Sequence, residues 1–493
     1  MKACQLFGAL WALGLVWTCA AQPSTSAVPL WRYSLVGPST LVVDCPMCGR
    51  PSIPEALRGG FDMRLMTSNF QGQVWAVENL AFYTGDPQNP TRRLTGSGQW
   101  RLITPVAEPP KQQMTLELEI SVEGTPPTTF SLDFTNDFSN LPKSFPVLDI
   151  SLTDTRGSAF EVYHLYLLAV PAREIWFSTR HNFTGARGIN GTRGDLLSAS
   201  GRIVRRHGDL IGRLGFMPMI GEYNVDAVDL GPKGDIQFSL AEDVFSETQG
   251  PMYHGDLLSS KGHVVKTYSQ WLAPFVPMPP TPNAGLDAVA RLPEGGRVFS
   301  IRNGFFSQSL GRFIRAGDLL TENGQIYRTI EQLMAPFKTT APDEVGLDAV
   351  YVWPHGEIWF STENRFDDAT LGPIQEGDIL STWGYIVFRN LDLLSPFQPL
   401  EDLADFGLDA LHVITDERTP PAAPPRLLDI RWNRTEGTLS FEWDGDGQAF
   451  QLEWAPSLLG PWQPLRPPEP DVGASFSMPS QMPPIQFFRL RQW

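Results

Sequence analysis

The sequence predicts an all-β protein in three parts: an N-terminal β-sandwich, a body of four repeated units closing into a β-propeller-like ring, and a small C-terminal β-sandwich. Three observations carry this. Four serines recur in steps of 61, as Ser178, Ser239, Ser300 and Ser361, and four aspartates do the same, as Asp226, Asp287, Asp348 and Asp409. A fixed period of this size marks a repeat architecture. Outside the repeat, apolar residues fall on every second position, as in Met114-Thr-Leu-Glu-Leu-Glu-Ile120, which places them on one face of a half-buried strand. With 44 glycines, 44 prolines and no long helical pattern, strands joined by frequent turns are the expected elements.

Residues 1–21 read as a secretory signal. Lys2 supplies the positive start, Leu6 to Val16 the apolar run, and Thr18-Cys19-Ala20-Ala21 the small-residue cleavage region. The run is too short for a membrane span. A lipoprotein cut at Cys19 competes with this reading, and Trp17 and Thr18 are poor neighbours for it. No later stretch is apolar enough to cross a bilayer, so the mature chain is expected as a secreted protein, extracellular or periplasmic. It keeps Cys45 and Cys48, which in an exported protein most simply close a small disulfide loop. Zinc would need two further ligands, and redox work a βαβ setting.

Residues 28–160 hold alternating runs at short spacing, among them 61–66, 74–83, 99–103, 114–122 and 147–152, which suggests the antiparallel N-terminal sandwich. Residues 161–415 carry the four units of about 61 residues. Each unit contains two hairpins: one joins a Leu-Asp-Ala-Val run to an Ile-Trp-Phe-Ser run. The other turns at Gly201, Gly262, Gly324 or Gly384, where glycine supplies the positive φ of a tight hairpin. Asp195, Asp256, Asp318 and Asp378 follow a glycine and read as turn residues. Three units then end in Pro-Phe, with Phe275, Phe337 and Phe397 equivalent; the proline stops a short helical turn and the phenylalanine packs between units. A ring is expected over a linear stack because it hides strand edges. The frame stays open: either 408–413 closes the first unit, or 162–170 does. Residues 416–425, with Thr419-Pro-Pro-Ala-Ala-Pro-Pro425, form a stiff linker to the C-terminal part, 426–493.

The phrases Gln451-Leu-Glu-Trp-Ala-Pro-Ser-Leu-Leu-Gly-Pro-Trp462 and Phe487-Phe-Arg-Leu-Arg491 resemble fibronectin type III-like modules at the C-termini of exported bacterial proteins. The repeat phrases Gly-Leu-Asp-Ala-Val, Ile-Trp-Phe-Ser-Thr and Gly-Asp-Leu-Leu-Ser resemble uncharacterised secreted bacterial repeat proteins. That likeness implies an extracellular β-propeller-like body and brings no catalytic residue with it.

The formal charge of −16 argues against nucleic acid or an anionic lipid surface as partner. The loops after each repeated serine are the candidate ligand-binding residues: Arg180 and Asn182, Asp243, Arg302 and Asn303, and Glu363, Asn364 and Arg365. They stand at equivalent places and differ between units, as ligand-facing loops on a rigid scaffold do; plain solvated loops would read the same. Phe183, Phe305 and Phe366 share one position there and are expected to pack as an apolar plug. The four aspartates Asp226, Asp287, Asp348 and Asp409 can ring a channel and hold a cation. Calcium suits such oxygen ligands, and the arrangement resembles hemopexin-type four-bladed propellers. Backbone capping explains the same repetition, and both readings stand. No nucleophile elbow, phosphate loop or dinucleotide fingerprint is present. The expectation is therefore a non-catalytic binding or scaffolding protein, with a glycan or envelope component as ligand and no cofactor beyond calcium. The alternative is a polysaccharide hydrolase using Asp243, Glu363 or Asp367.

Overall fold

The computed structural model describes residues 30–49, 51–105, 107–122, 130–136, 138–140, 143, 145–156, 158–186, 188–217, 223–280, 283–340, 345–433, 435–458, 460, 462–477 and 487–493. The expected signal segment lies outside them. The described chain is all-β, with helices limited to single turns.

The N-terminal part consists of β1 (Leu30–Leu35), β2 (Thr40–Asp44), β3 (Pro54–Asn69), β4 (Gly72–Gly85), β5 (Pro90–Ile103), β6 (Lys111–Val122), β7 (Phe130–Thr135), β8 (Ser139–Asn140), β9 (Leu148–Asp154) and β10 (Val162–Val170). It differs from the expected sandwich. The strands form one antiparallel sheet that runs β2-β3-β4-β5-β6-β7-β9-β10 and returns from β10 to β2, a closed barrel. Inward-facing Met114, Leu116, Leu118 and Ile120 of β6 join Trp100, Phe82 and Phe61 in its core. A period of two states which face is buried but not whether the opposing face belongs to a second sheet or to the same one. The long, bulged strands β3 to β5 decide it: bulges add twist, and a twisted sheet of eight strands can close and remove its edges. Cys45 and Cys48 are disulfide-bonded beside β2.

The repeats form four four-stranded antiparallel sheets. Sheet 2 orders Val225–Leu230, Ile236–Leu240, Leu257–Ser259 and His263–Lys266 from its inner strand outward. Sheet 3 orders Ala288–Arg291, Arg297–Ser300, Leu319–Thr321 and Ile326–Arg328. Sheet 4 orders Ala349–Val352, Ile358–Ser361, Ile379–Ser381 and Tyr385–Phe388. Sheet 1 takes its inner strand from the far end of the repeat region: Ala410–Thr415 pairs with Ala172–Ser178, followed by Leu196–Ser198 and Arg202–Arg205. This settles the frame, since Val162–Val170 belongs to the barrel. The inner strands of sheets 1 to 4 neighbour one another in a closed cycle, so the first and last parts of the region are locked together.

The repeated residues now have physical reasons. Each serine hydroxyl donates across a seam to a backbone carbonyl 47 residues on: Ser178 to Val225, Ser239 to Leu286, Ser300 to Leu347 and Ser361 to Leu408, at 3.2, 3.0, 3.4 and 3.1 Å. Each turn aspartate accepts two backbone N–H bonds, from three residues before and twelve after. Asp195, for instance, takes Thr192 and His207, and Asp378 takes Gln375 and Asn390. The second bond ties the start of the short helix that follows. Phe183, Phe305 and Phe366 form no common plug. Each packs edge-on against a Pro-Phe phenylalanine at a seam: Phe397, Phe275 and Phe337, at 5.2, 6.0 and 6.2 Å between ring centres.

Arg426–Asn433, Thr438–Asp444 and Gly473–Ser477 form one C-terminal sheet, and Gln463–Pro464, Phe450–Ala455 and Phe487–Gln492 another. Leu439, Phe441, Trp443, Phe450 and Leu452 fill the space between. This part is docked, not hung. Lys233 of sheet 2 meets Asp444 at 3.2 Å, and Arg205 of sheet 1 meets Asp471. The proposed linker begins inside the structure. Asp416 is buried and accepts from Arg173 at 2.8 Å, from Trp493 Nε1 at 3.0 Å, from the backbone N–H of Arg32 at 2.9 Å, and from Arg491. One carboxylate therefore holds all three parts, and these cations keep it below the usual carboxylate range against the opposing effect of burial.

Candidate functional site

Each repeated aspartate lies at the start of an inner strand, Asp226 as its second residue and Asp287, Asp348 and Asp409 just before the first, and all four are buried, 1–2 % exposed. The closed cycle brings them together at one end of the ring. Two arginines divide them into pairs. Arg302, two residues after Ser300, donates from Nε to Asp287 of its own sheet at 3.2 Å. From Nη2 it reaches Asp226 of the preceding sheet at 2.9 Å, and from Nη1 the Ala241 carbonyl at 3.3 Å. Arg180, two residues after Ser178, repeats the pattern with Asp409 of its own sheet at 3.3 Å, Asp348 of sheet 4 at 2.6 Å and the Glu363 carbonyl at 3.4 Å. It also meets Glu376 at 2.9 Å. A planar fork that can serve two carboxylates at once is what arginine, and not lysine, offers.

The position two residues after the serine reads Arg180, Ala241, Arg302 and Glu363 around the ring. Its partner is the residue two before the aspartate: Gly407, Asn224, Gly285 and Gly346. These positions vary together for a steric reason. A Cβ on Gly407 would stand 2.5 Å from Arg180 Cβ, one on Gly285 2.9 Å from Arg302 Cβ, and one on Gly346 2.7 Å from Glu363 Cβ. Where the large residue shrinks to Ala241 the glycine becomes Asn224, and Asn224 Nδ2 donates to Asp409. The asparagine thereby supplies the contact to the preceding sheet's aspartate that an arginine supplies in units 1 and 3. Glu363 is the exception: units 1 and 3 place an arginine here and unit 2 supplies a donor from the facing Asn224, whereas unit 4 places an acid facing a glycine.

Four carboxyls and two guanidiniums leave the ring short of positive charge. Burial pushes all four aspartates up. Asp226 and Asp348 are driven well above the usual range by burial and by the neighbouring carboxylates, while Asp287 rises to about 7, with burial first, Arg302 opposing and Glu363 adding to the rise. Asp409 rises by burial against the pull of Arg180 and Asn224. Oδ2 of Asp226 and Oδ2 of Asp287 have no hydrogen-bond partner among the described residues.

The predicted site residues divide accordingly. The structure gathers Asp226, Asp287, Asp348 and Asp409 as expected, but as arginine-bridged pairs, not as convergent ligands. Among the described residues, no three His, Cys, Asp or Glu side chains are grouped so as to hold a metal ion. Arg180 and Arg302 are ring members, and Glu363 lies at the ring's edge. Asn182, Asp243, Asn303, Asn364 and Arg365 are exposed around it. Asn182 accepts from the Arg193 N–H at 2.8 Å, and Asp243 pairs with His254 Nδ1 at 2.7 Å. Asp243 lies in the loop after Ile236–Leu240 of sheet 2, and Asp367 lies in the short strand Phe366–Asp368, which pairs with Gly372–Ile374 in a two-stranded sheet of its own. Glu376 and Asn224 went unread in the sequence. Asn224 was findable, as the one break in the Gly-Leu-Asp phrase; Glu376 was not, since its partner lies 196 positions away.

Two other features stand apart from the ring. His355 is buried between Glu357 at 3.1 Å and Glu417 at 2.8 Å; burial opposes its charge, but the two carboxylates prevail and raise it to about 9. A cleft of about 1840 Å³ opens between barrel, ring and C-terminal sandwich. Arg58 and Asp392, paired at 2.8 Å, lie in its wall with Tyr83 and Trp462.

No family profile matches this chain, and no curated protein matches it. Among solved structures it is similar to the extracellular domain of a protein described as a hybrid two-component system of B. thetaiotaomicron. Identity is 9 %, coverage 87 % of this chain and 76 % of that one, and the TM-score 0.22. No helix among the described residues is long and apolar enough to cross a membrane.

Proposed function

We propose that this chain is a non-catalytic binding or scaffolding protein acting outside the cytoplasm, in the cell envelope or extracellular space, with a glycan or envelope component as its ligand. In this reading the four-sheet ring is a four-bladed β-propeller and the C-terminal sandwich a fibronectin type III-like module. The supporting observation is how the ring's charged groups are used. Its buried aspartates pair with the half-buried Arg180 and Arg302 across the sheets, while the residues that differ between units, Asn182, Asp243, Asn303, Asn364 and Arg365, are exposed around the same end. A rigid frame presenting varied polar loops suits recognition. A glycan-array screen run beside hydrolysis assays on pooled polysaccharides tests it. Retention of a glycan class, weakened by changing Asn303 and Asn364 to alanine, is the expected result. Release of reducing sugar that disappears in Asp243→Ala or Glu363→Ala would replace this reading with the hydrolase.

A further inference from the structure

The slot at Glu363 breaks the ring's own rule, and the break has a chemical direction. In units 1 and 3 a guanidinium leaves this position, pairs with the aspartate of its own sheet and bridges to the aspartate of the preceding one. The same bridge from unit 4 would join Asp348 to Asp287. Instead the position holds a third acid, seated over Gly346 as the arginines are seated over Gly407 and Gly285. Asp287, 1 % exposed, has a carboxylate oxygen without a hydrogen-bond partner among the described residues. Glu363 itself is half-buried, so this third acid reaches the surface.

We propose that Glu363, Asp348 and Asp287 form a receptor for a guanidinium group carried by a ligand, which enters beside Glu363 and supplies the bridge that Arg180 and Arg302 supply from within. A guanidinium fits better than a metal ion. Among the described residues no convergent metal ligand set exists, whereas two slots of the same shape already hold planar forks across carboxylate pairs. The third acid has a role in this scheme: a mobile ligand, unlike a tethered arginine, has no covalent hold on the site, and an added carboxylate contributes attraction at the mouth. The inference rests on the binding reading only in taking this end of the ring as the recognition face. A failed glycan screen would leave it standing, and a failed cation titration would leave the glycan reading standing.

The test uses the full chain, with agmatine as the probe, followed by calorimetry and thermal melting. Agmatine is expected to bind and to raise the melting temperature, with affinity at least tenfold weaker in Glu363→Gln. In Glu363→Arg the tethered guanidinium should fill the slot, so that agmatine binding is lost and the variant melts above the parent. An arginine-containing peptide and free agmatine are compared to tell a protein-borne guanidinium from a small molecule; binding of either, dependent on Glu363, supports the proposal. It is overturned if neither probe binds, if agmatine binds Glu363→Arg as well as the parent, if Glu363→Arg melts below the parent, or if calcium binds in a Glu363-dependent way and agmatine does not.

Discussion

Arg302 reaches Asp226, 76 positions earlier in the neighbouring sheet, at 2.9 Å. Arg180 stands in the same relation to Asp348, 168 positions later, at 2.6 Å. The two contacts are equivalent only because the ring is closed: sheet 4 precedes sheet 1 in space while following it in sequence. Arg302 holds Asp226 and Asp287, both buried, and breaking such a pair leaves uncompensated charge. Arg302→Met is expected to cost about 3–5 kcal/mol, read from denaturant unfolding. Adding Asp226→Asn and Asp287→Asn to it should recover much of the loss, and a triple variant as weak as the single one would show that the pairing is not what the arginine contributes.

The seam serines predict a smaller effect. Ser239→Ala removes the hydroxyl that donates to the Leu286 carbonyl at 3.0 Å and leaves a buried acceptor without that donor. The expected cost is about 1–3 kcal/mol, with Ser178→Ala and Ser361→Ala similar because their bonds are equivalent. An unchanged melting temperature in all three would remove the seam bond from the account of stability.

The ring should also respond to pH in a sense unusual for aspartate. Asp287 rises to about 7 in the folded chain, so its contribution is fully present below its unfolded value and is lost as pH rises through about 7. Stability of the parent relative to Asp287→Asn should therefore fall between about pH 4 and pH 7. A difference that grows with pH over this window would contradict the direction assigned to the carboxyl.

His355 predicts a second window. Its folded value is raised from 6.5 to about 9 by Glu357 and Glu417, so the charged histidine stabilises fully below about pH 6.5 and progressively less as pH rises through about 9. The difference amounts to about 3 kcal/mol at most. Melting curves of the parent and His355→Gln should differ least above about pH 9, move apart as pH falls from about 9 to about 6.5, and keep that separation below it. Imidazole shifts followed by NMR give the titration directly, and a midpoint near the ordinary value would refute the paired arrangement.

Much of the candidate site was visible in the sequence. The 61-residue steps identify Asp226, Asp287, Asp348 and Asp409 as one set, and the variation among Arg180, Ala241, Arg302 and Glu363 appears in the same alignment of the chain with itself. What those residues do for one another was not visible. A repeated aspartate satisfies calcium, backbone capping or an arginine bridge equally well at the level of spacing, and the bridge is recognised only when Arg302 is seen between two carboxylates.

The chain's one-dimensional pattern by itself determined that the protein is all-β, which residues face inward and which are equivalent from unit to unit, because alternation and period follow from how a single strand or sheet buries one face. Tertiary structure alone decided that β2 to β10 close into a barrel, that Ala410–Thr415 completes the first sheet, and that Asp416 joins Arg32, Arg173 and Arg491. The reason is physical. Hydrophobic patterning constrains each segment against an unspecified apolar neighbour, while closure and ion pairing depend on which distant segments arrive at the same place.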